Sequence, residues 1–404
     1  MIDKSDLLIK NLLKILTILF FCILTYYFSL SNEGSGDEQV FLDNLSLIKT
    51  KGWYEAISQK IGLTYIILAY PFTFLFQDYI ALRIVNVLLF IILFFYFTKM
   101  GSIKNEMFYY YFFFFAASGW FMLGTNDTLF YVCLVCFFNE VYKILEDKDK
   151  INLTLMWCSL IIAFFTRQLI YLYVPIIFFS FFLIYRKRNN LLNKIKKPIL
   201  LFAICVIINI PSLLKNKNFS YDNKVPPKTI KSNWIQRQYL AQLMVNNGEL
   251  ENKQHPSWQV TDEYLLKNGL NSLPNSFISS MLFDIESTLK ECFKNLADII
   301  FQSIRQTGLV ILFLFSYFSY CLFRRKITIN HYLPFISIVL IFTFSIVIFS
   351  FVEMRWLTPI LIMSLVYYSD LEFNNKLHKL FLITNNLFFI LIIFYGTYKV
   401  LNKF

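Results

Sequence analysis

Residues 152–185 read NLTLMWCSLIIAFFTRQLIYLYVPIIFFSFFLIY, and Arg167 is the one charged side chain among them. About 17–25 consecutive apolar residues are needed to cross the hydrocarbon core of a bilayer, which is roughly 30 Å thick. This run is long enough for two crossings, and an arginine is costly in the middle of either one. We therefore interpret the run as two transmembrane helices, 152–168 and 169–185, with a turn at Arg167 and Gln168.

The rest of the chain has the same apolar character. Its 404 residues are 57% hydrophobic and 19% aromatic, and only 16% are charged. A soluble globular domain has about 25% charged residues, and its core cannot absorb so much apolar side chain. The composition also excludes a disordered chain, which would be polar and rich in charge. The expected fold is an all-α polytopic membrane protein with extracytoplasmic helices beside the membrane.

Eleven apolar runs predict about eleven transmembrane helices. They are 15–31, 79–98, 107–123, 128–142, 152–168, 169–185, 198–214, 306–323, 332–351, 356–369 and 380–398. A further run, 61–76, contains Pro71 and is interpreted as a re-entrant or interfacial helix. If it crossed the membrane, every later basic segment would lie on the opposite side from the N-terminal one, against the positive-inside rule.

Basic residues give the predicted orientation. The formal net charge is +12, and in this topology 19 of the 38 Lys and Arg residues fall in six short segments on one side. That side is assigned to the cytoplasm, together with the N-terminus, and the first span is interpreted as an uncleaved signal anchor. The positive charge is therefore an orientation signal, and no nucleic-acid partner is expected. A bacterial inner membrane is preferred over the ER membrane.

The chain divides into three predicted parts. Residues 1–214 form an N-terminal transmembrane module whose first outer loop, 32–78, would be catalytic, and 306–404 form C-terminal transmembrane helices. Between them, 215–305 is predicted to be an extracytoplasmic helical domain. An amphipathic pattern over 284–304 predicts a helix along the membrane surface within it.

Ionisable residues near the outer ends of the spans are the candidate site residues. They are Asp37, Glu38, Arg83, Asp127, Arg167, Glu353 and Arg355. A charge at membrane depth is costly, so each is a functional hypothesis. Carboxylates can deprotonate a nucleophile, and guanidinium groups can stabilise a departing phosphate. Together they are what transfer of a sugar from a lipid phosphate requires.

Each candidate also has a structural interpretation. Asp37 and Glu38 could lie in a solvated loop, and Asp127 suits a helix N-cap. Arg167 could extend to the lipid headgroups, while Glu353 and Arg355 could pair with each other. The three histidines, His255, His331 and His378, are scattered along the chain. No cofactor is therefore expected, and a divalent metal is left open.

The order and placement of the candidate residues resemble the GT-C superfamily of polytopic glycosyltransferases. The matching segments are GDEQVF (Asp37, Glu38), LRIVN (Arg83), GTNDTLF (Asp127), FFTRQLIYLYVP (Arg167) and VEMRWLTP (Glu353, Arg355). The acidic pair is similar to the motif of the protein O-mannosyltransferases and their bacterial relatives. The last two segments are similar to those of the ER alpha-1,2-glucosyltransferase.

The resemblance implies an inverting glycosyltransferase with a polyprenyl- or dolichyl-phosphate-linked sugar as donor. The acceptor would be a hydroxyl of a glycan, a lipid or a protein at the outer membrane face. Asp37 would be the general base, and Glu38 is assigned to catalysis with it. Glu38 and Asp127 would orient the substrates. Arg167 and Arg355 would hold the lipid phosphate. Arg83 and Glu353 are assigned to substrate binding with them.

Two other functions remain open. A flippase or other transporter of lipid-linked oligosaccharides would usually show an internal repeat and helices broken by glycine or proline. The chain has 11 Gly and no sustained repeat. An O-antigen-type polymerase also handles lipid-linked sugars, but would need no acidic pair directly after the first span.

Overall fold

A computed structural model describes residues 2–100, 107–148, 150–187, 194–221, 231–326, 328–347, 350–371 and 376–402. The side chain of His378 lies outside the described part. The described residues form helices and connecting turns, and no strand occurs among them. The all-α prediction is confirmed over this part of the chain.

Eighteen α-helices follow one another along the described ranges. The first nine are α1 (Ile2–Ser29), α2 (Glu38–Ser58), α3 (Leu63–Ala69), α4 (Asp78–Met100), α5 (Met107–Ser118), α6 (Asp127–Leu145), α7 (Leu153–Thr166), α8 (Ile170–Lys187) and α9 (Lys196–Ile208). The others are α10 (Ile210–Asn216), α11 (Trp234–Asn246), α12 (Trp258–Asn268), α13 (Phe277–Phe283), α14 (Ile285–Thr307), α15 (Val310–Phe323), α16 (Tyr332–Val347), α17 (Thr358–Asp370) and α18 (Lys376–Leu401).

The chain folds as two compact units. The first consists of Met1–Asn223, Ser303–Ser337 and Arg355–Phe404, and the second of Lys224–Gln302 and Ile338–Met354. The second unit overlaps the predicted domain 215–305 and adds a later segment to it.

The protein is a multi-pass membrane protein, but the prediction of about eleven spans is wrong. Within the described ranges, six helices are long and apolar enough to cross a bilayer, or up to eight if each of two bent helix pairs counts as one span. The six are Leu7–Ser29, Asp78–Lys99, Asp127–Leu145, Ile170–Lys187, Ile329–Ile346 and Lys379–Leu401.

Helix length explains part of the difference. Helices α5, α7 and α17 coincide with predicted spans but have 12, 14 and 13 described residues. At 1.5 Å per residue they extend about 18–21 Å, short of the roughly 30 Å hydrocarbon core. Helix α3, within the run 61–76, has only 7 residues and is followed by a 3-10 turn at Tyr70–Phe74.

Breaks in the backbone explain the rest. Helices α9 and α10 bend by 53° at Asn209, just before Pro211, and α14 and α15 bend by 116° around Gly308. Gly308 has φ +62°, a left-handed conformation that glycine adopts at little cost. The side-chain oxygen of Asn385 on α18 accepts a hydrogen bond of 2.7 Å from the next backbone N–H, that of Leu309.

Helix α6 lies at the centre of the first unit. All of its residues are buried, and it packs against α4, α7, α8 and α17. It begins at Asp127 and carries Glu140 and Lys143 near its other end. Because a buried charge is costly unless paired, both ends of this helix must find partners.

The second unit has a small apolar core and one helix with an outward apolar side. Its core consists of Tyr239, Leu240, Leu265 and Leu273. On α14, which contains most of the predicted amphipathic segment 284–304, Ile285, Leu289 and Phe293 are exposed, whereas Thr288, Glu291 and Asn295 are buried. Exposed apolar side chains on an amphipathic helix are typical of a helix at a membrane surface.

Candidate active site

The loop between α1 and α2 presents Asp37. Gly34 has φ +74° and Gly36 has φ +63°, so the chain turns sharply just before this residue. Asp37 is the N-cap residue of α2, but its side chain does not cap the helix. The carboxylate is directed to a partner from a distant part of the chain instead.

That partner is Arg355, which bridges two carboxylates. Its Nη2 donates to Oδ2 of Asp37 at 2.6 Å, and its Nη1 donates to Oδ2 of Asp127 at 2.9 Å. Arg167 forms an ion pair with the other oxygen of Asp127. We call Asp37, Asp127, Arg167 and Arg355 the four-charge cluster. Its two negative and two positive charges alternate along a chain of contacts.

The four residues meet because each stands at a helix end. Asp127 is the first residue of α6, and Arg167 is the C-cap residue of α7. Arg355 lies in the 3-10 turn Met354–Leu357, directly before α17. The Tyr173 hydroxyl on α8 donates to the backbone oxygen of Trp356 and holds this turn in place.

Burial differs from residue to residue within the cluster. The side chain of Asp127 is 5% exposed, whereas those of Arg167, Arg355 and Asp37 are 16%, 18% and 26% exposed. Asp127 is therefore a buried anchor for the two arginines. Asp37 and the outer side of Arg355 remain accessible to a substrate.

Glu38 makes a separate, buried pair with Arg83 of α4. Its Oε1 accepts from Arg83 Nε and its Oε2 from Arg83 Nη2, both at 2.8 Å, and its side chain is fully buried. Arg83 also donates to the backbone oxygens of Ser31 and Asn32 at 3.0 Å. The bidentate pair thus holds the loop that carries Asp37.

Glu38 also fixes the turn before α6. Its Oε1 accepts from the backbone N–H of Gly124 at 2.8 Å. A Cβ on Gly124 would lie 2.4 Å from Cβ of Leu82 and 2.9 Å from the Glu38 carboxylate, so only glycine fits. Asn86 of α4 donates to the backbone oxygens of Leu123 and Thr125 in the same turn.

The seven predicted site residues are thus divided by the structure. Four form the four-charge cluster, and Glu38 with Arg83 forms the supporting pair. Neighbours in sequence, Asp37 and Glu38 have different arginine partners rather than sharing one site. Glu353 belongs to the second unit and is partly buried.

A second buried charge pair lies near the other end of α6 and was not predicted from the sequence. Glu140 accepts from Lys143 at 2.8 Å and from the Tyr96 hydroxyl at 2.7 Å. Its second oxygen accepts from the backbone N–H of Asn152 at 2.7 Å, and Lys143 donates to the backbone oxygen of Lys150 at 2.8 Å. The sequence signal for this pair is a Glu and a Lys three residues apart within an apolar run.

Within the described part of the chain, no group of three or more His, Cys, Asp or Glu side chains could hold a metal ion. The four-charge cluster itself offers carboxylates and guanidinium groups.

Comparison with known proteins gave no match to a family model, a curated protein or a solved structure.

Proposed function

We propose that the protein is an inverting glycosyltransferase that uses a polyprenyl- or dolichyl-phosphate-linked sugar. The observation that supports this most is the bridge of Arg355 between Asp37 and Asp127. A planar guanidinium binds phosphate oxygens with two parallel hydrogen bonds. A carboxylate beside it is suited to take a proton from a hydroxyl group.

The donor phosphate binds by exchange with Asp37. Arg355 keeps its contact with the buried Asp127 and gives the accessible Nη2 to a phosphate oxygen. When the sugar leaves, the phosphodiester becomes a monoester and gains negative charge. Arg355 and Arg167 stabilise that charge, since preorganised donors act most strongly where charge develops.

Release from Arg355 makes Asp37 available as the general base. The acceptor hydroxyl gives its proton to the Asp37 carboxylate while its oxygen forms a bond to the anomeric carbon. The bond from that carbon to the phosphate oxygen breaks in line, and the phosphate leaves with the electron pair. The configuration at the anomeric carbon is therefore inverted.

The other predicted residues position these groups. Asp127 holds Arg167 and Arg355 through its two oxygens. Glu38 and Arg83 hold the Asp37 loop and the turn at Gly124. In this proposal they are positioning residues and do not touch the donor.

The proposed location of the site is the extracytoplasmic face of a bacterial inner membrane. It rests on the basic segments that follow the ends of α4, α6 and α8, at the side away from Asp37. The acceptor would be a glycan, lipid or protein hydroxyl that faces the same side.

Asp37→Asn tests the proposal, with Asp43→Asn on α2 as a matched control. Asp43 is exposed and accepts a local hydrogen bond from Gln39. The full chain in membranes is incubated with polyprenyl-phosphate glucose, mannose or galactose that carries a labelled sugar. We expect Asp37→Asn to lower transfer into membrane acceptors about 10²–10⁴-fold and Asp43→Asn to leave it unchanged. Full transfer by Asp37→Asn, or flipping of the donor without transfer by the wild type, would contradict the proposal.

A further inference from the structure

The second unit contains a cluster of aromatic rings around one arginine. Trp234 is the first residue of α11 and Trp258 the first of α12, and His255 precedes α12. Arg237 lies one turn after Trp234. We call Trp234, Arg237, His255 and Trp258 the aromatic cluster. All four side chains are partly exposed.

The rings and the guanidinium pack against one another. Trp234 stacks on His255 with centroids 5.4 Å apart and 19° between the planes, and it meets Trp258 at 6.1 Å and 55°. The guanidinium of Arg237 lies 4.8 Å from the centroid of Trp258 and 5.5 Å from that of Trp234. Both contacts are within the range of cation–π attraction.

Arg237 has donors that the unit does not use. Its Nε donates to the backbone oxygen of Pro256 at 2.7 Å, which fixes the plane of the guanidinium. Within the described ranges no carboxylate pairs with it, and its Nη1 and Nη2 make no hydrogen bond. Partial burial lowers the pKa of Arg237. A guanidinium that is partly desolvated and has no carboxylate partner gains more free energy from a hydrogen bond to a ligand oxygen.

We propose that the aromatic cluster binds a saccharide, and preferably one that carries a carboxylate. One face of a pyranose ring consists of C–H groups, which pack against the negatively charged face of an indole. The rim of the pyranose ring consists of oxygen atoms, which accept hydrogen bonds from the free N–H groups of Arg237. A carboxylate on the sugar supplies the acid partner that the unit itself does not give to this arginine.

A membrane headgroup is the competing ligand, because Trp and Arg are also common at the bilayer surface. The second unit exposes apolar side chains on α14, at Ile285, Leu289 and Phe293, which suit contact with lipid. Those side chains offer no hydrogen-bond donor. The aromatic cluster combines ring faces with fixed, unused donors, which favours a ligand with both an apolar face and a polar rim.

The inference extends the proposed function in one respect, since the saccharide would be the acceptor glycan. Its test contains no donor and measures binding alone. An inactive transferase that binds the saccharide would refute only the proposed function, and an active one that does not bind it would refute only this inference.

The test is a titration of the purified full chain with two disaccharides. One consists of two glucose units, and the other has glucuronate in place of the terminal glucose. We expect saturable binding of both, tighter for the acidic one. Trp258→Ala should weaken both about tenfold, and Arg237→Gln should remove the preference for the acidic sugar. Trp258→Phe, which keeps an aromatic face, should retain most of the binding, and Trp53→Phe in the first unit serves as the control.

Three results would overturn the inference. The first is no saturable binding of either disaccharide by the wild type. The second is equal binding by the wild type, Trp258→Ala and Arg237→Gln. The third is a loss of binding to phosphatidylglycerol vesicles in these variants with disaccharide binding intact, which would assign the cluster to lipid.

Discussion

The two ends of α6 carry charges of the same kinds in opposite settings. At the N-terminal end, Asp127 pairs with two arginines, and the contacts of Arg355 join residues 228 and 318 positions apart. Near the C-terminal end, Glu140 pairs with Lys143 within one helical turn. The first cluster opens to a partly exposed Asp37, whereas Glu140 and Lys143 are 0% and 1% exposed.

This difference distinguishes a candidate functional site from a structural ion pair. Every oxygen of Glu140 is used by a neighbour that the fold supplies, so an incoming ligand would find nothing to exchange. Arg355 pairs with the buried Asp127 and with the accessible Asp37, and a ligand can replace the accessible Asp37. Burial and pairing alone therefore do not identify a functional charge in this protein. A functional charge is identified by a partner that a ligand can replace.

The largest expected effect is on stability, at the C-terminal end of α6. Glu140→Gln leaves Lys143 buried without a counter-charge, which costs about 3–5 kcal/mol. The double variant Glu140→Gln/Lys143→Met removes both charges and should recover a large part of that loss. Thermal unfolding in detergent measures both, and Glu55→Gln, at an exposed pair with Lys215, should give no measurable change. A double variant no more stable than the single one would contradict the interpretation.

The second-largest expected effect is on donor binding, at the N-terminal end of α6. Arg355→Ala removes the guanidinium that would hold the phosphate, and the affinity for a polyprenyl-phosphate sugar should fall about 10–100-fold. Acceptor binding should change little. Arg324→Ala, at an exposed arginine stacked on Tyr320, is the control. Equal weakening of donor and acceptor binding would remove the phosphate role from Arg355.

Gly124→Ala tests whether Glu38 positions the loop that carries Asp37. The added methyl group meets Leu82 and the Glu38 carboxylate, and overpacking of this kind costs about 1–3 kcal/mol. Because Glu38 holds the Asp37 loop, sugar transfer should fall along with stability. Gly248→Ala has open space but a φ of +75°, so it should cost stability through backbone strain alone and leave transfer unchanged. If both variants lost transfer equally, Glu38 would not be a positioning residue.

The smallest effect concerns a carboxylate outside both clusters. Burial tends to raise the pKa of Asp262, but hydrogen bonds from Ser232 and Lys231 outweigh it and hold the pKa below its usual value. A lowered folded pKa gives stability above the unfolded value of about 3.9, and this is lost as pH falls through the folded value. Asp262→Asn should therefore melt earlier than the wild type at pH 5, and the difference should shrink at pH 3. A constant difference would contradict the assignment.

The sequence predicted membrane character and the members of the four-charge cluster. Apolar composition is a property of the whole chain, and a charge beside an apolar run is visible without structure. Asp37, Asp127, Arg167 and Arg355 were all recognised in this way. Which of them pair depends on how distant helix ends meet, and no local pattern gives that.

The span count and the roles of Glu38 and Arg83 could not be predicted for physical reasons. A hydropathy pattern does not register a left-handed Gly308 or a bend before Pro211, so bent and short helices were counted as full spans. Adjacent carboxylates such as Asp37 and Glu38 suggest a shared site. In a helix start their side chains point in different directions, and each meets a different arginine.

The turn at Gly308 bears on how the protein is made. The Leu309 N–H, at the start of α15, is satisfied by Asn385, a residue synthesised 76 positions later. Until α18 has been translated and inserted, this donor has no protein acceptor from that helix. The hydrogen bond that joins the start of α15 to α18 therefore forms only after the ribosome has delivered Asn385 to the membrane.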